Sequence, residues 1–262
     1  MEAAELLRII REEMQRMFQS SSLIHGDEVP VHNLTVDALD MYEFRHYIKQ
    51  QYGDVELEEG ECLQWLHNLN LMRDGVFNVA GALLFTREPE RRLPAFVVKC
   101  ASFPGTDIHT SQYADSEDIA GALRQVFKDT LAFVSRNLLR LQKDKSVNSV
   151  GEMEIPKVTL EELIINALVH RDYFVAAPVR VFVFSDRVEI VSPGHLPNNL
   201  TVEHIKNGNS NIRNPILASF AAKMLPYRGL GTGIRRALKE HPHIDFVDYR
   251  DGNLFKAIIY RV

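Results

Sequence analysis

Between residues 179 and 193 the chain reads VRVFVFSDRVEIVSP, two alternating runs about Ser185-Asp186. A period of two interrupted by a turn signal marks an antiparallel hairpin with one face buried. The segment just before it, LEELIINALVH (160–170), has helical spacing instead, and Leu163, Ile164 and Leu168 can anchor one side of it in a core. A helix at about 159–170 running into such a hairpin confines this part of the chain to an α/β fold.

The rest of the sequence adds elements around that unit. Helical spacing predicts helices over 2–18, 35–52 and 57–69, with an extended connector at LIHGDEVPVHN (23–33). VFNVAGALLF (76–85) and LPAFVVKCASF (93–103) read as two buried strands, and Ile119, Leu123, Val126, Phe127, Leu131, Val134, Leu138 and Leu141 predict one amphipathic helix over 116–142. Beyond the hairpin come a polar loop, a helix near 213–225, a glycine-rich loop, a further helix and the final strand FKAIIYRV. The 262 residues suffice for a large core. Cys62 and Cys100 lack metal-site spacing and suit a reducing, cytoplasmic setting. No apolar run approaches the roughly 20 residues that cross a bilayer, so no membrane partner is expected. A net charge of −5 confines any nucleic-acid contact to a local patch.

Chemistry is concentrated in two stretches. On a helix, Glu162, Asn166 and His170 are four apart and share a face. Residues of this kind ordinarily form the solvated side of a helix. A carboxamide oxygen beside phosphates also suits Mg2+, and a neighbouring carboxylate can orient an attacking water. His170 with Asp172 has too few ligands for a metal site of its own.

The second stretch is PYRGLGTGIRRALKE (226–240), with Gly229, Gly231 and Gly233 before a basic helical run. It lacks the G-x-x-x-x-G-K-[ST] pattern, which occurs nowhere in the chain, so a P-loop and a helicase motor are excluded. Ile234 stands where a dinucleotide fingerprint needs glycine. A plain turn and an anion site formed by free backbone N–H groups with Arg235 and Arg236 both remain open. Arg213, Lys223, Arg228, Arg235 and Arg236 cluster in sequence and suit phosphate as well as DNA.

Taken in order, E-x-x-x-N-A on a helix, a hairpin ending in SPGHLP and then G-x-G-x-G before a helix resemble the GHKL ATPase group. NALVHRDY, VEIVSPGHLPNNLT, RNPILASF, GLGTGIRRA and, upstream, DGVFNVAGALLFTREPERRLPAF look like its divergent branch. That branch lies at the C-terminal end of Schlafen-AlbA-type transcriptional regulators, also labelled RecG-like or helicase-related. The resemblance runs from about residue 20 to the end. It implies a two-layer α+β sandwich, a Bergerat-like mixed sheet covered by helices, behind a helical N-terminal segment. Residues 1–72 would then be the tail and linker of a Schlafen-AlbA-type domain, and 73–262 the ATP-binding domain.

By the same resemblance Glu162 is the catalytic carboxylate and Asn166 the magnesium ligand. Ser192 and Gly194 fall in the adenine-side loop, where the group usually has Asp-x-Gly. Gly229, Gly231 and Gly233 fall in the phosphate-covering loop, and His170 and Arg228 complete the nucleotide-contacting set. ATP and Mg2+ are the implied cofactors, with slow hydrolysis. The implied partners are DNA, through an N-terminal domain beyond this segment, and a second copy in a homodimer. The alternative is a GHKL fold without nucleotide, serving dimerisation or effector sensing, and Ser192 in place of the usual acid motivates it.

Overall fold

The computed structural model describes residues 25–55, 57–108, 112–142 and 151–261. The helix expected over 2–18 lies outside them. The helices are α1 (Met41–Tyr52), α2 (Cys62–Asn68), α3 (Val79–Phe85), α4 (Leu123–Arg136), α5 (Lys157–His170), α6 (Val202–Lys206), α7 (Pro215–Met224) and α8 (Gly233–Glu240). The strands are β1 (Met72–Arg73), β2 (Val76–Phe77), β3 (Val98–Ser102), β4 (Asp115–Ile119), β5 (Arg140–Leu141), β6 (Glu152–Met153), β7 (Val179–Val183), β8 (Arg187–Pro193), β9 (Ile244–Tyr249) and β10 (Leu254–Tyr260).

The hairpin predicted at 179–193 is the centre of a six-stranded mixed sheet in the order β4-β3-β7-β8-β10-β9. Strands β3 and β7 run parallel, and the other neighbours are antiparallel. In the hairpin Val181 faces Ile190 and Val183 faces Val188. Alternation puts Val179, Val181 and Val183 in the core and Arg180 in solvent. Helices cover the inner face. Helix α5 packs against β8 and also meets α4, α7 and α8, so it lies inside the helical layer. Its burial agrees, since nine of its fourteen residues are buried, Glu162 among them. One apolar core runs from Val31 to Ile259.

Three expectations over 76–142 change. VFNVAGALLF is mostly helix α3, because Asn78 caps it, its side-chain oxygen accepting from Gly81 N at 2.8 Å. Every residue of α3 is buried, so no polar face betrays a helical period. Over 93–103 only Val98–Ser102 is strand. The helix expected at 116–142 begins at Leu123. Residues 115–119 form the edge strand β4, and Gly121 at φ +116° separates the two in a conformation no L-residue helix contains. The polar loop after the hairpin holds α6, capped by Thr201, and β9 is a strand that the sequence pattern does not announce.

Residues 25–55 join the same body. Asp27 is fully buried and its carboxylate accepts from Leu217 N, at the first turn of α7, at 2.9 Å. Burial pushes its pKa up from 3.8 to about 6, against the pull of the Leu217 N–H.

Candidate functional site

Helix α5 presents Glu162, Asn166 and His170 along one side, as its four-residue spacing requires. All three border a single cavity of about 120 Å3, together with Ser192, Gly194, Arg228, Gly229, Gly231 and Gly233. The structure therefore brings these nine residues to one place, with Arg213 and Arg236 beside them, while Asp172, Lys223 and Arg235 do not border the cavity. Leu163, Ile190, Leu196 and Phe255 supply apolar walls, while Asn209, Ser210 and Arg236 add polar ones.

Glu162 is 2% exposed, and its carboxylate is ion-paired with the Arg236 guanidinium. A buried carboxylate needs such compensation. Gly233 stands so close to Glu162 Oε2 that a Cβ there would collide with it, and that Cβ would lie 3.4 Å from Asn166 Nδ2. Asn166 Nδ2 donates to the Glu162 carbonyl at 2.6 Å, which leaves Oδ1 as the acceptor end of the amide. One carboxamide oxygen plus phosphate oxygens and water is a donor set that suits Mg2+. Among the described residues, no group of three or more His, Cys, Asp or Glu side chains comes together to hold a metal alone.

His170 shares a hydrogen bond with the Tyr227 hydroxyl at 2.9 Å, so the end of α5 is tied to the start of the glycine loop. Its desolvation, reinforced by the Arg213 charge, pushes its pKa down from 6.5 to about 4. The imidazole keeps some exposed surface because it borders the cavity, yet it is otherwise surrounded by protein.

His170 and Asp27 act on stability with opposite signs. Between pH 4 and 6.5 unfolded His170 holds a proton that the folded one lacks, so its contribution is complete above 6.5 and is lost as pH falls toward 4. Between pH 3.8 and 6 folded Asp27 holds a proton that the unfolded one lacks, so stability is lost as pH rises through that window. Each contributes on the order of 3 kcal/mol. The two nearly cancel between pH 4 and 6. Asp27→Asn is expected to leave the His170 contribution alone, so that its urea midpoint, unlike the wild type's, climbs steadily with pH over this range. Parallel profiles for variant and wild type would refute the assignment.

Ser192 follows Val188 and Ile190 on the inward side of β8. Its hydroxyl donates to the Ala167 carbonyl of α5 at 3.1 Å, so only its lone pairs remain for a ligand. Gly194 has φ +95° and packs directly on Asp172 and Arg213. Arg213, 7% exposed, donates to the His195 carbonyl at 2.6 Å and to the His170 carbonyl at 3.4 Å. It therefore clamps the 194–196 loop onto the end of α5, and burial pushes its pKa down. This arginine reads in sequence as part of a phosphate- or DNA-binding cluster. In the fold its guanidinium is spent on backbone carbonyls.

Asn214 completes the clamp. Its Nδ2 donates to the Val169 and Arg171 carbonyls, both at 2.8 Å, capping orphan carbonyls at the end of α5. The glycine loop forms the roof. Gly229 and Gly231 take φ +64° and +69°, conformations that favour glycine. A Cβ on Gly231 would lie 2.6 Å from the Gly208 carbonyl, so the loop rests on residues 208–210. Leu230 at its tip is 72% exposed. Sequence reasoning pairs Arg236 with an anion rather than with Glu162, and it misses Tyr227. The one-turn spacing of Gly233 and Arg236 is the available signal for Arg236.

No helix among the described residues is long and apolar enough to cross a membrane. No curated protein matches the chain. Among solved structures, the DIP2311 protein of Corynebacterium diphtheriae matches with a TM-score of 0.66 at 18% identity, over 96% of this chain and 43% of that one. The chain thus spans less than half the length of that structural neighbour, which shares its fold. Residues 176–245, from the start of the hairpin to the first residues of β9, match the family described as "Putative ATP-dependent DNA helicase recG C-terminal". The match covers β7, β8, Gly194 and the glycine loop between α7 and α8, and over these residues it supports a divergent GHKL-type, ATPase-like domain related to the RecG C-terminal region.

Proposed function

We propose that this cavity binds ATP with Mg2+ and that the chain is a nucleotide-responsive regulatory domain of a DNA-associated protein. One observation carries the reading: residues from three separate stretches, 162–170, 192–194 and 228–233, border one cavity. The apolar walls of Ile190, Leu196 and Phe255 suit a base, with the Ser192 lone pairs accepting from an amino group. The glycine loop and Arg228 cover phosphates through N–H groups and positive charge. Asn166 Oδ1 holds Mg2+, which would neutralise phosphate charge, and Glu162 orients water for slow hydrolysis. Residues 73–262 form the nucleotide-binding domain in this proposal. DNA contact through a separate domain and a homodimer belong to the same proposal.

Isothermal titration and thermal shift with ATP and Mg2+ test it. Binding with Kd near 10 μM is expected to stabilise the domain by about 2.7 kcal/mol at 1 mM ligand. No heat and no shift at millimolar nucleotide would overturn it. That result would favour a nucleotide-independent dimerisation or effector-sensing module, a reading supported by the engagement of the Ser192 hydroxyl with Ala167.

A further inference from the structure

We propose that Arg236 is a latch on this site: it holds Glu162 in the closed arrangement and passes to the terminal phosphate of an entering nucleoside triphosphate, freeing the carboxylate. The inference rests on the nucleotide reading above and adds how the site is regulated.

The cavity is too small for its proposed ligand as it stands. Its volume of about 120 Å3 lies well below the roughly 300 Å3 at which pockets for drug-sized ligands begin. The roof fills the remaining space, with Gly231 against Gly208 and Ser210, and the first turn of α8 at Gly233 against Glu162. In this proposal the glycine loop lifts to admit the nucleotide.

Arg236 is the group that resists lifting. It lies one turn after Gly233 on α8, so it moves with the loop. Its ion pair with Glu162 is the contact that ties the loop's helix to the carboxylate on α5. The Glu162 side chain is 3% exposed, so pulling Arg236 away would leave a buried anion with no counter-charge. Arg236 itself is only partly committed, because its Nε is buried without a partner. A guanidinium offers five donors in a fork that matches phosphate as well as carboxylate.

A terminal phosphate brings more negative charge than Glu162 and so competes for the same fork. When it wins, Glu162 is released while the arginine remains neutralised. A diphosphate lacks that group and leaves the latch closed. The site would therefore tell triphosphate from diphosphate through one arginine, with no extra pocket for the third phosphate.

The test is a double-mutant cycle read by isothermal titration of the full chain with ATP, ADP and adenosine, each with Mg2+. Glu162→Gln removes the charge that Arg236 must leave and is expected to tighten ATP binding about tenfold. Arg236→Ala is expected to reduce the ATP-to-ADP preference about tenfold, with adenosine unchanged. In the Glu162→Gln/Arg236→Ala double variant the tightening should vanish, and Arg236→Lys should restore part of the preference. Because Arg236→Ala alone strands Glu162 and can cost the fold, Arg236→Lys with the Glu162→Gln/Arg236→Lys double variant completes a second cycle without it. ATP binding with additive effects of the two substitutions would overturn the latch and leave the nucleotide reading standing. Silence with every ligand in wild type and variants would overturn both.

Discussion

Phe85→Ala is expected to destabilise the protein by about 3–5 kcal/mol, the range for emptying a buried aromatic site. Phe85 has no solvent exposure and ends α3, the helix that reads in sequence as a strand. Its ring meets Phe44 of α1 edge-on at 5.2 Å, Tyr47 at 5.3 Å and Phe220 of α7 edge-on at 5.7 Å. Tyr47 and Phe220 also touch each other at 5.0 Å. One ring thus joins three helices from distant parts of the chain, and its removal leaves a void that rigid helices close poorly. Phe85→Leu, which keeps most of the volume, should cost about 1–2 kcal/mol. Guanidinium unfolding midpoints decide the matter. A loss below about 1 kcal/mol for the alanine variant would mean that the helices collapse onto the gap and that this aromatic cluster is not a structural hub.

The same region shows why part of the fold is hidden in the sequence. Strand β7 is legible because it buries one side and exposes Arg180 on the other, while β8 and α5, buried nearly all round, are legible through the alternating Arg187-Val188-Glu189-Ile190 and the four-residue spacing of Glu162, Asn166 and His170. Helix α3 buries all of its residues, so it carries no period, and only the capping Asn78 distinguishes it from a strand. Strand β4 is obscured differently. Its Asp115, Glu117 and Asp118 point to partners at Arg136 and Lys99, and an acidic edge strand resembles the polar side of a helix. Gly121 is the available boundary mark.

The candidate site divides along similar lines. Glu162, Asn166 and His170 are legible as a set because helical spacing fixes a shared face. The glycine loop is legible because three closely spaced glycines are costly inside a helix. The pairings are not. Arg213 clamps carbonyls about 20 and 40 residues back, and Arg236 meets a carboxylate more than 70 residues away. Both look alike in sequence as members of a basic cluster. Which anion or carbonyl each one finds is decided by the packing of α5, α7 and α8 around β8.

Gly194→Ala is the substitution expected to damage fold and site together, by about 2–5 kcal/mol. A left-handed backbone costs an L-residue about 1–2 kcal/mol. Gly194 is at φ +95°. The rest is overpacking, about 1–3 kcal/mol. The new Cβ would stand 2.5 Å from Asp172 Cβ and closer still to the Arg213 guanidinium. Asp172 cannot withdraw easily, since its N–H donates to the Pro193 carbonyl at 2.8 Å and its carboxylate accepts from Phe174 N at 2.9 Å. If Arg213 withdraws instead, it gives up the His195 carbonyl and frees the loop that places Leu196 on the cavity wall. Gly121→Ala separates the two causes, because Gly121 is also left-handed, at φ +116°, but a Cβ added there would meet nothing within 4 Å. It should lose only about 1–2 kcal/mol of stability and keep the wild-type affinity for ATP. At a temperature where Gly194→Ala is still folded, its ATP affinity should fall at least tenfold. Equal losses in the two variants, in stability and in affinity, would show that Gly194 is needed for its backbone conformation alone and that the Arg213 clamp does not shape the site.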